Sequence, residues 1–143
     1  MLMDRSRWEI ASEAKGEPVA QLPDDRQYTA EHEWAKEDGG RVVVGITDYA
    51  QDQLGDVVFV GLPDPGSEVT AGEPLGEVES TKSVSDVYSP VTGRVAEKNL
   101  EVEQNPELIN SDPYGNGWLV VIEPANGGRG KLMDAEAYGR LTE

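Results

Sequence analysis

The chain has 143 residues, a length that suits one compact domain with a short extension. Hydrophobic residues make up 37% of it and charged residues 28%, as in a globular protein, and no apolar run approaches the roughly 20 residues that cross a bilayer. The formal charge of −16 disfavours nucleic-acid binding, and the absence of cysteine excludes disulfides, thiolate metal sites and a cysteine nucleophile.

Residues 1–26 predict a weakly structured N-terminal extension. Isolated apolar side chains and a turn-like Pro23-Asp24-Asp25 are typical of such a stretch, and a marginal helix is expected only over 4–14. Acidic residues occur throughout, so the stretch matches neither a signal peptide nor a transit peptide. We therefore expect a cytoplasmic protein whose single domain spans 27–143.

From Tyr28 onward, short β-rich segments alternate with Gly, Pro, Asp and Asn, a pattern that predicts an all-β sandwich or barrel. Pro63-Asp64-Pro65-Gly66 and Pro90-Val91-Thr92-Gly93 mark two turns, because proline fixes φ and glycine tolerates positive φ. The clearest predicted strands are 41–46, 56–62, 75–80, 85–89, 93–98 and 118–123.

Capping signals predict three short helices. Asp48 followed by Gln51 resembles a capping pair, with Gly55 placed to end the helix. Asn105-Pro106 offers an N-cap and a proline at the first helical position. These two helices are expected to be connectors, whereas a C-terminal helix that begins near Asp134 is expected to pack on the sheet surface.

The most informative stretch is 76–90, where two strand-like segments meet at small polar residues around Lys82. It predicts a β-hairpin with Lys82 at the tip. The short neighbours Ser80, Thr81 and Ser83 leave the lysine ammonium open to a modifying enzyme and to a long attached arm. From the spacing alone, an ordinary exposed lysine in a turn is the alternative.

Five motifs, in order along the chain, carry a family signal. They are His32-Glu33-Trp34, Gly45-Ile46-Thr47-Asp48-Tyr49-Ala50-Gln51, Leu54-Gly55-Asp56-Val57-Val58-Phe59-Val60, Glu79-Ser80-Thr81-Lys82-Ser83 and Asn110-Ser111-Asp112-Pro113-Tyr114. From Tyr28 to about Pro124 the chain closely resembles the glycine cleavage system H protein family. The resemblance implies a mainly β barrel-sandwich hybrid, like lipoyl and biotinyl domains, with lipoic acid joined by an amide to Lys82.

The resemblance implies a carrier protein that is not itself an enzyme. In the family, the lipoyl arm takes an aminomethyl group from a pyridoxal-phosphate glycine decarboxylase and gives it to a tetrahydrofolate-dependent aminomethyltransferase, and dihydrolipoamide dehydrogenase reoxidises the arm. These three enzymes and a lipoyl-attaching enzyme are the implied partners. A dithiolane suits this role because thiol–disulfide exchange can open and close it, and a body without cysteine does not compete for that exchange.

The resemblance also implies roles for two acids, Glu33 and Asp86. In related H proteins, acids at these positions hold the amine of the carried aminomethyl group, which is protonated near neutral pH, through a charge-assisted hydrogen bond. Ordinary solvated carboxylates are the alternative. Some relatives have a hydroxyl residue just before the histidine where this chain has Glu31, so the hydrogen bonding of the pocket is expected to differ.

No metal site is expected from the sequence. His32-Glu33 does not continue into a zinc-protease motif, since position 36 is lysine and the chain has no second histidine. We expect His32 to be structural. Trp34, Tyr114 and Trp118 are expected to pack in the core or at its edge.

Other function classes stay open. A lipoyl module of a different multienzyme complex usually precedes a linker and a catalytic domain, and a biotin carrier typically has methionine on both sides of its lysine, whereas Lys82 lies between Thr81 and Ser83. A non-lipoylated interaction protein of the same fold is a further alternative. An independent enzyme is disfavoured because no nucleophile-base pair is visible.

Overall fold

The computed structural model describes residues 22–142, without the side chains of 127–129. In this part of the chain, nine strands and four short helices are present. The strands are β1 Gln27–Tyr28, β2 Glu33–Asp38, β3 Arg41–Ile46, β4 Val57–Gly61, β5 Glu68–Val69, β6 Pro74–Ser80, β7 Val84–Tyr88, β8 Val91–Lys98 and β9 Val120–Arg129. The helices are α1 Asp48–Leu54, α2 Leu100–Gln104, α3 Leu108–Ser111 and α4 Ala135–Leu141.

The strands form two antiparallel sheets. Six strands pair in the order β1-β2-β3-β9-β8-β5, and three pair in the order β4-β6-β7. Apolar side chains from both sheets meet in one core, which includes Val44, Val78, Val95 and Ile122, all almost completely buried. The predicted mainly β fold with short connecting helices and a C-terminal helix is confirmed. The proposed boundary at residue 26 stays a prediction, and the helix expected over 4–14 lies outside the described residues.

Strand β3 coincides with its prediction, because Val42 and Val44 are buried while Arg41 is exposed and Val43 is only partly buried. Three strands were not predicted: β1, β2 and β5. Strand β2 has the mostly polar sequence Glu-Trp-Ala-Lys-Glu-Asp, yet it pairs with β3 along its whole length. Glu33 lies opposite Ile46 at one end, and Asp38 lies opposite Arg41 at the other. Gly39 and Gly40, with φ of 63° and 85°, close this hairpin. A two-residue turn with positive φ at both positions fixes the register of the two strands.

Strand β9 extends past the predicted end at residue 123. Pro124 occupies a position beside Gly93 in β8, and the register shifts between Pro124 and Arg129. Sheets tolerate proline at such irregular positions because no ladder hydrogen bond is lost there.

Two of the helix predictions are partly wrong. The cap of α1 is Thr47, whose hydroxyl accepts from the Ala50 N–H at 3.1 Å, while Asp48 is the first helical residue and accepts from the Gln51 side chain at 2.9 Å. A threonine one residue earlier therefore takes the role that we gave to Asp48. Gly55 ends α1 as predicted, with φ of 84°.

The prediction at Asn105-Pro106 is also wrong. Asn105 is the C-cap of α2, whose N-cap is Asn99, and α3 begins two residues after the proline at Leu108, with no side-chain cap. The Asn99 side chain accepts from the Glu101 N–H at 3.1 Å, so a capping signal was present there and we missed it. Helix α4 begins as predicted, because the Asp134 carboxylate accepts from the Ala137 N–H at 2.8 Å.

Tyr138 fixes α4 to the large sheet. Its buried ring stacks on Tyr28 with centroids 4.9 Å apart, and its hydroxyl oxygen lies 2.7 Å from both Thr47 Oγ1 and His32 Nδ1. The expected packing roles of the other aromatic residues are confirmed, since buried Trp34 donates to the Pro113 carbonyl and the partly buried Tyr114 and Trp118 pack against the same cluster. Among the helices of residues 22–142, none has the length and the apolar composition of a membrane-spanning segment.

Replacing Tyr138 with Phe should lower the free energy of unfolding by about 1–3 kcal/mol, because the Thr47 hydroxyl and the His32 ring nitrogen lose a buried hydrogen-bond partner. Urea denaturation monitored by fluorescence measures this change. Tyr49→Phe is the matched control: the Tyr49 ring is partly exposed and its hydroxyl has no hydrogen bond within residues 22–142, so its change should stay within about 0.5 kcal/mol. Equal effects of the two variants would contradict the assigned role of Tyr138.

Candidate functional site

The hairpin of β6 and β7 carries Lys82 at its apex, and local hydrogen bonds hold the turn. The Ser80 hydroxyl accepts from the Lys82 N–H at 3.2 Å and from the Ser83 N–H at 3.1 Å, and the Ser80 N–H donates to the Ser83 carbonyl at 2.8 Å. The Thr81 N–H donates to the Asp56 carbonyl at 3.1 Å and so joins the tip to the segment before β4. The tip is therefore ordered while Lys82 stays exposed, as the sequence predicted.

The stem of Lys82 lies over the end of α1. A Cβ atom built on Gly55 would lie 3.4 Å from Lys82 Cε and 3.9 Å from Nζ, which is ordinary van der Waals distance. The positive φ of Gly55 disfavours other residue types at this place. The lysine amine is thus directed along the protein surface beside α1.

A cleft of about 430 Å³ lies beside the hairpin, between β7 and α1. Its lining residues come from the β1–β2 turn, the start of β2, β3, α1 and the β6–β7 hairpin: Glu31, His32, Glu33, Ile46, Tyr49, Ala50, Gln53, Leu54, Val78, Ser83, Val84, Ser85, Asp86 and Val87. The structure therefore brings the two predicted acids, Glu33 and Asp86, to one cleft. Lys82 is not in the lining, but the adjacent Ser83 is, so the lysine lies at the edge of the cleft.

Glu33 is a buried acid in the wall of this cleft, with 2% of its surface exposed. Its Oε1 accepts from the Thr29 hydroxyl at 2.6 Å, and its Oε2 accepts from the Tyr88 N–H at 3.1 Å. Burial raises the pKa of Glu33 to about 7, and the two hydrogen bonds oppose that rise. Glu33 is therefore not the solvated surface carboxylate that was the alternative.

Asp86 differs from Glu33 because it is exposed. It lies on β7, an edge strand of the small sheet, opposite Glu77 of β6. Of the two predicted acids, Glu33 thus lies in the buried wall of the cleft and Asp86 at its open rim, and the exposed Glu31 also lines the cleft. For Asp86, the alternative of a solvated surface acid stays open.

His32 has an unusual backbone conformation in the turn that precedes Glu33. Its φ of 79° is the only positive value at a non-glycine residue of the described chain. Its ring lies against Tyr49, with centroids 4.6 Å apart, and Nδ1 contacts the Tyr138 hydroxyl. Burial lowers the pKa of His32, so the ring is neutral at neutral pH. These contacts agree with the structural role that we expected for it.

The sequence did not identify the partners of Glu33. Tyr88 lies 55 positions away along the chain, and no motif connects the two residues. Thr29 is only four positions away. Its backbone N–H donates to the Glu33 carbonyl at 2.9 Å, and this hydrogen bond closes a tight turn. A hydroxyl residue four positions before a motif acid was the one signal available for it.

Two kinds of chemistry suit this arrangement. An exposed amine can form a covalent amide, and a cleft lined by carboxylates can hold a cationic group. Within residues 22–142, no group of three or more His, Cys, Asp or Glu side chains is placed to hold a metal ion.

Comparisons with known proteins give a consistent result. A sequence model of the family described as "Glycine cleavage H-protein" matches residues 26–143. The glycine cleavage system H protein of Mycolicibacterium vanbaalenii is 59% identical over 125 residues, which cover 84% of this chain and 95% of that protein. The corresponding proteins of Beutenbergia cavernae and Mycobacterium tuberculosis are 58% and 54% identical, and the alignments cover 85% and 87% of this chain and 96% and 100% of theirs.

A solved structure agrees with the sequence comparisons. The crystal structure of a glycine cleavage system H protein from Mycobacterium marinum superposes with a TM-score of 0.79 at 46% identity, covering 83% of this chain and 97% of that one. Residues 26–143, which the family model matches, contain both sheets, the hairpin and the cleft. The chain therefore belongs to the glycine cleavage H-protein family, whose members serve as lipoyl carriers in glycine cleavage.

Proposed function

We propose that Lys82 bears lipoic acid as an amide and that this chain thereby moves an aminomethyl group and reducing equivalents between the enzymes of glycine cleavage. The observation that supports this most directly is the position of Lys82, exposed at an ordered hairpin apex and at the edge of a cleft that contains Glu33 and Asp86. An ordered base and a free side chain are what a swinging arm requires. Small neighbours on both sides leave the amine accessible.

The residues around Lys82 fit a lipoyl group. Gly55 leaves space along the lysine stem, and the apolar side chains of Ile46, Leu54 and Val87 offer the cleft a surface that suits a hydrocarbon chain. When bound, the group supplies a dithiolane that can accept a substituent and two electrons and can close again by exchange with a partner.

Glu33 and Asp86 are proposed to hold the ammonium of the cargo. The Glu33 carboxylate keeps free lone pairs after its two hydrogen bonds, because each oxygen can accept more than one. Its buried position makes a charge-assisted bond stronger than it would be in water. Asp86 at the rim adds an attraction that solvent and salt partly screen.

The proposed partners are a pyridoxal-phosphate glycine decarboxylase, a tetrahydrofolate-dependent aminomethyltransferase, dihydrolipoamide dehydrogenase and a lipoyl-attaching enzyme. In this proposal the chain itself catalyses no reaction, and the transfer of the aminomethyl group takes place in the cytoplasm. Tethering helps because an arm on a docked carrier meets the partner's active site at high effective concentration.

Attachment at Lys82 is testable by intact mass after treatment with a lipoylating enzyme. Wild type should gain one lipoyl group, whereas Lys82→Arg should gain none, because a guanidinium does not form the amide. Lys36→Arg is the matched control: Lys36 lies on β2 near Asp25 and should leave the modification unchanged. Lipoylation of the Lys82→Arg variant would refute the assignment. A lipoyl group found in wild type on a proteolytic peptide that does not contain residue 82 would refute it as well.

The role of Glu33 predicts a pH dependence. Glu33→Gln should speed hydrolytic loss of the cargo about tenfold at pH about 8, because a charged hydrogen bond is lost. In wild type the carboxyl group becomes protonated as the pH falls through its pKa of about 7, or lower when the cargo cation is bound, so the difference between the two proteins should vanish in acid. Loss of cargo from the lipoylated proteins is measured by mass spectrometry over time. Equal lifetimes at every pH would refute the role.

The excess of 28 acidic over 12 basic residues predicts docking on basic partner surfaces. Raising the salt concentration from about 0.05 to about 0.5 M should weaken association with the decarboxylase several-fold, because ions screen exposed charges. Calorimetric titration gives the affinity, and a nonionic osmolyte at equal osmolality is the control. An affinity that does not change with salt would show that charge does not drive docking.

A further inference from the structure

Thr29 and Glu33 form a reciprocal pair of hydrogen bonds in the turn between β1 and β2. The Thr29 hydroxyl donates to Glu33 Oε1 at 2.6 Å and accepts from the Glu33 backbone N–H at 3.1 Å. Thr29 is 6% exposed, so water does not compete for this hydroxyl. One side chain thus contacts both the backbone and the carboxylate of the buried acid.

We propose that Thr29 is a positioning residue for the arm site, whose hydroxyl fixes the Glu33 carboxylate as an ionised acceptor in the wall of the cleft. This inference rests on the proposed role of Glu33 and adds to it. The turn supports the geometry, since the His32 N–H donates to the Thr29 carbonyl and the Thr29 N–H donates to the Glu33 carbonyl. Rotation of Glu33 away from the cleft would break the bond to its own turn.

The surroundings of Glu33 leave its charge dependent on hydrogen bonds. The titratable groups that face it are Glu31 and His32 from its own turn, Tyr49 from α1, Asp86 from β7 and Tyr138 from α4. None of them is cationic at neutral pH, and no Lys or Arg is among the described residues that line the cleft. The Thr29 hydroxyl and the Tyr88 N–H therefore favour the ionised form, together with a weaker contribution from the backbone of Glu33 itself.

The direction of the expected effect follows from this geometry. The bond from the Thr29 hydroxyl lowers the pKa of Glu33 against the larger effect of burial, which raises it to about 7. Without that bond, more of the carboxyl groups would carry a proton at neutral pH. A protonated carboxyl group has no charge with which to hold an ammonium ion, so cargo retention should require a higher pH.

The first test is a carboxyl ¹³C NMR titration of the unlipoylated protein, which reads the Glu33 group directly; Glu33→Gln identifies its resonance. In Thr29→Val the midpoint should rise by about one to two pH units, the equivalent of one hydrogen bond to a charged group. Thr29→Ser should restore the midpoint to within about half a unit. Thr29→Ala replaces the valine variant if the latter does not fold. A wild-type midpoint in a folded variant without the hydroxyl would overturn the inference.

The second test measures the lifetime of the cargo against pH in the lipoylated proteins. The pH profile of cargo lifetime in Thr29→Val should move to higher pH by the same amount as the NMR midpoint. At pH values above the shifted midpoint, Thr29→Val should retain the cargo as long as wild type does. The profile of Thr29→Ser should follow that of wild type. A purely structural role for Thr29 would lower stability without moving the profile. If Glu33→Gln abolishes the pH dependence but Thr29→Val leaves it in place, only this inference fails; if neither variant changes it, the proposed role of Glu33 fails as well.

Discussion

The buried carboxylate of Glu33 connects the two sheets at the cleft beside the Lys82 hairpin. Glu33 belongs to the large sheet through β2, and its Oε2 accepts from the Tyr88 N–H in β7 of the small sheet. Strand β7 is one arm of the hairpin that presents Lys82. This one hydrogen bond therefore joins the cleft wall to the hairpin and sets the acid and the lysine on a common framework.

This arrangement has a cost in stability. Because burial raises the pKa of Glu33 from 4.5 to about 7, the folded protein binds this proton more tightly than the unfolded chain does. The contribution of Glu33 to the free energy of unfolding thus falls as the pH rises from about 4.5 to about 7. A buried acid with a raised pKa in the wall of a cleft is typical of a functional site, because such sites often need a group whose pKa is shifted.

Local signals in the sequence were sufficient for the hairpin, for β3 and for the start of α4 at Asp134, since alternation, turn residues and caps act over a few positions. Local signals were insufficient where hydrogen bonding to a neighbouring strand determines whether a segment forms a strand. Strand β2 carries four charged residues in six and forms because β3 and a two-glycine turn supply its partner and its register. The bond between Glu33 and Tyr88 spans 55 positions, so motif reading placed the acid at the site but not its burial or its raised pKa.

The central claim is that the side chain of Lys82 is the root of an arm that rests in the cleft beside Glu33. A crystal structure of the lipoylated, cargo-loaded protein tests it most directly. The account predicts density continuous from Lys82 Nζ that ends with the cargo nitrogen within hydrogen-bonding distance of the Glu33 carboxylate. Density that begins at another lysine, or an arm that lies away from the cleft, would contradict it.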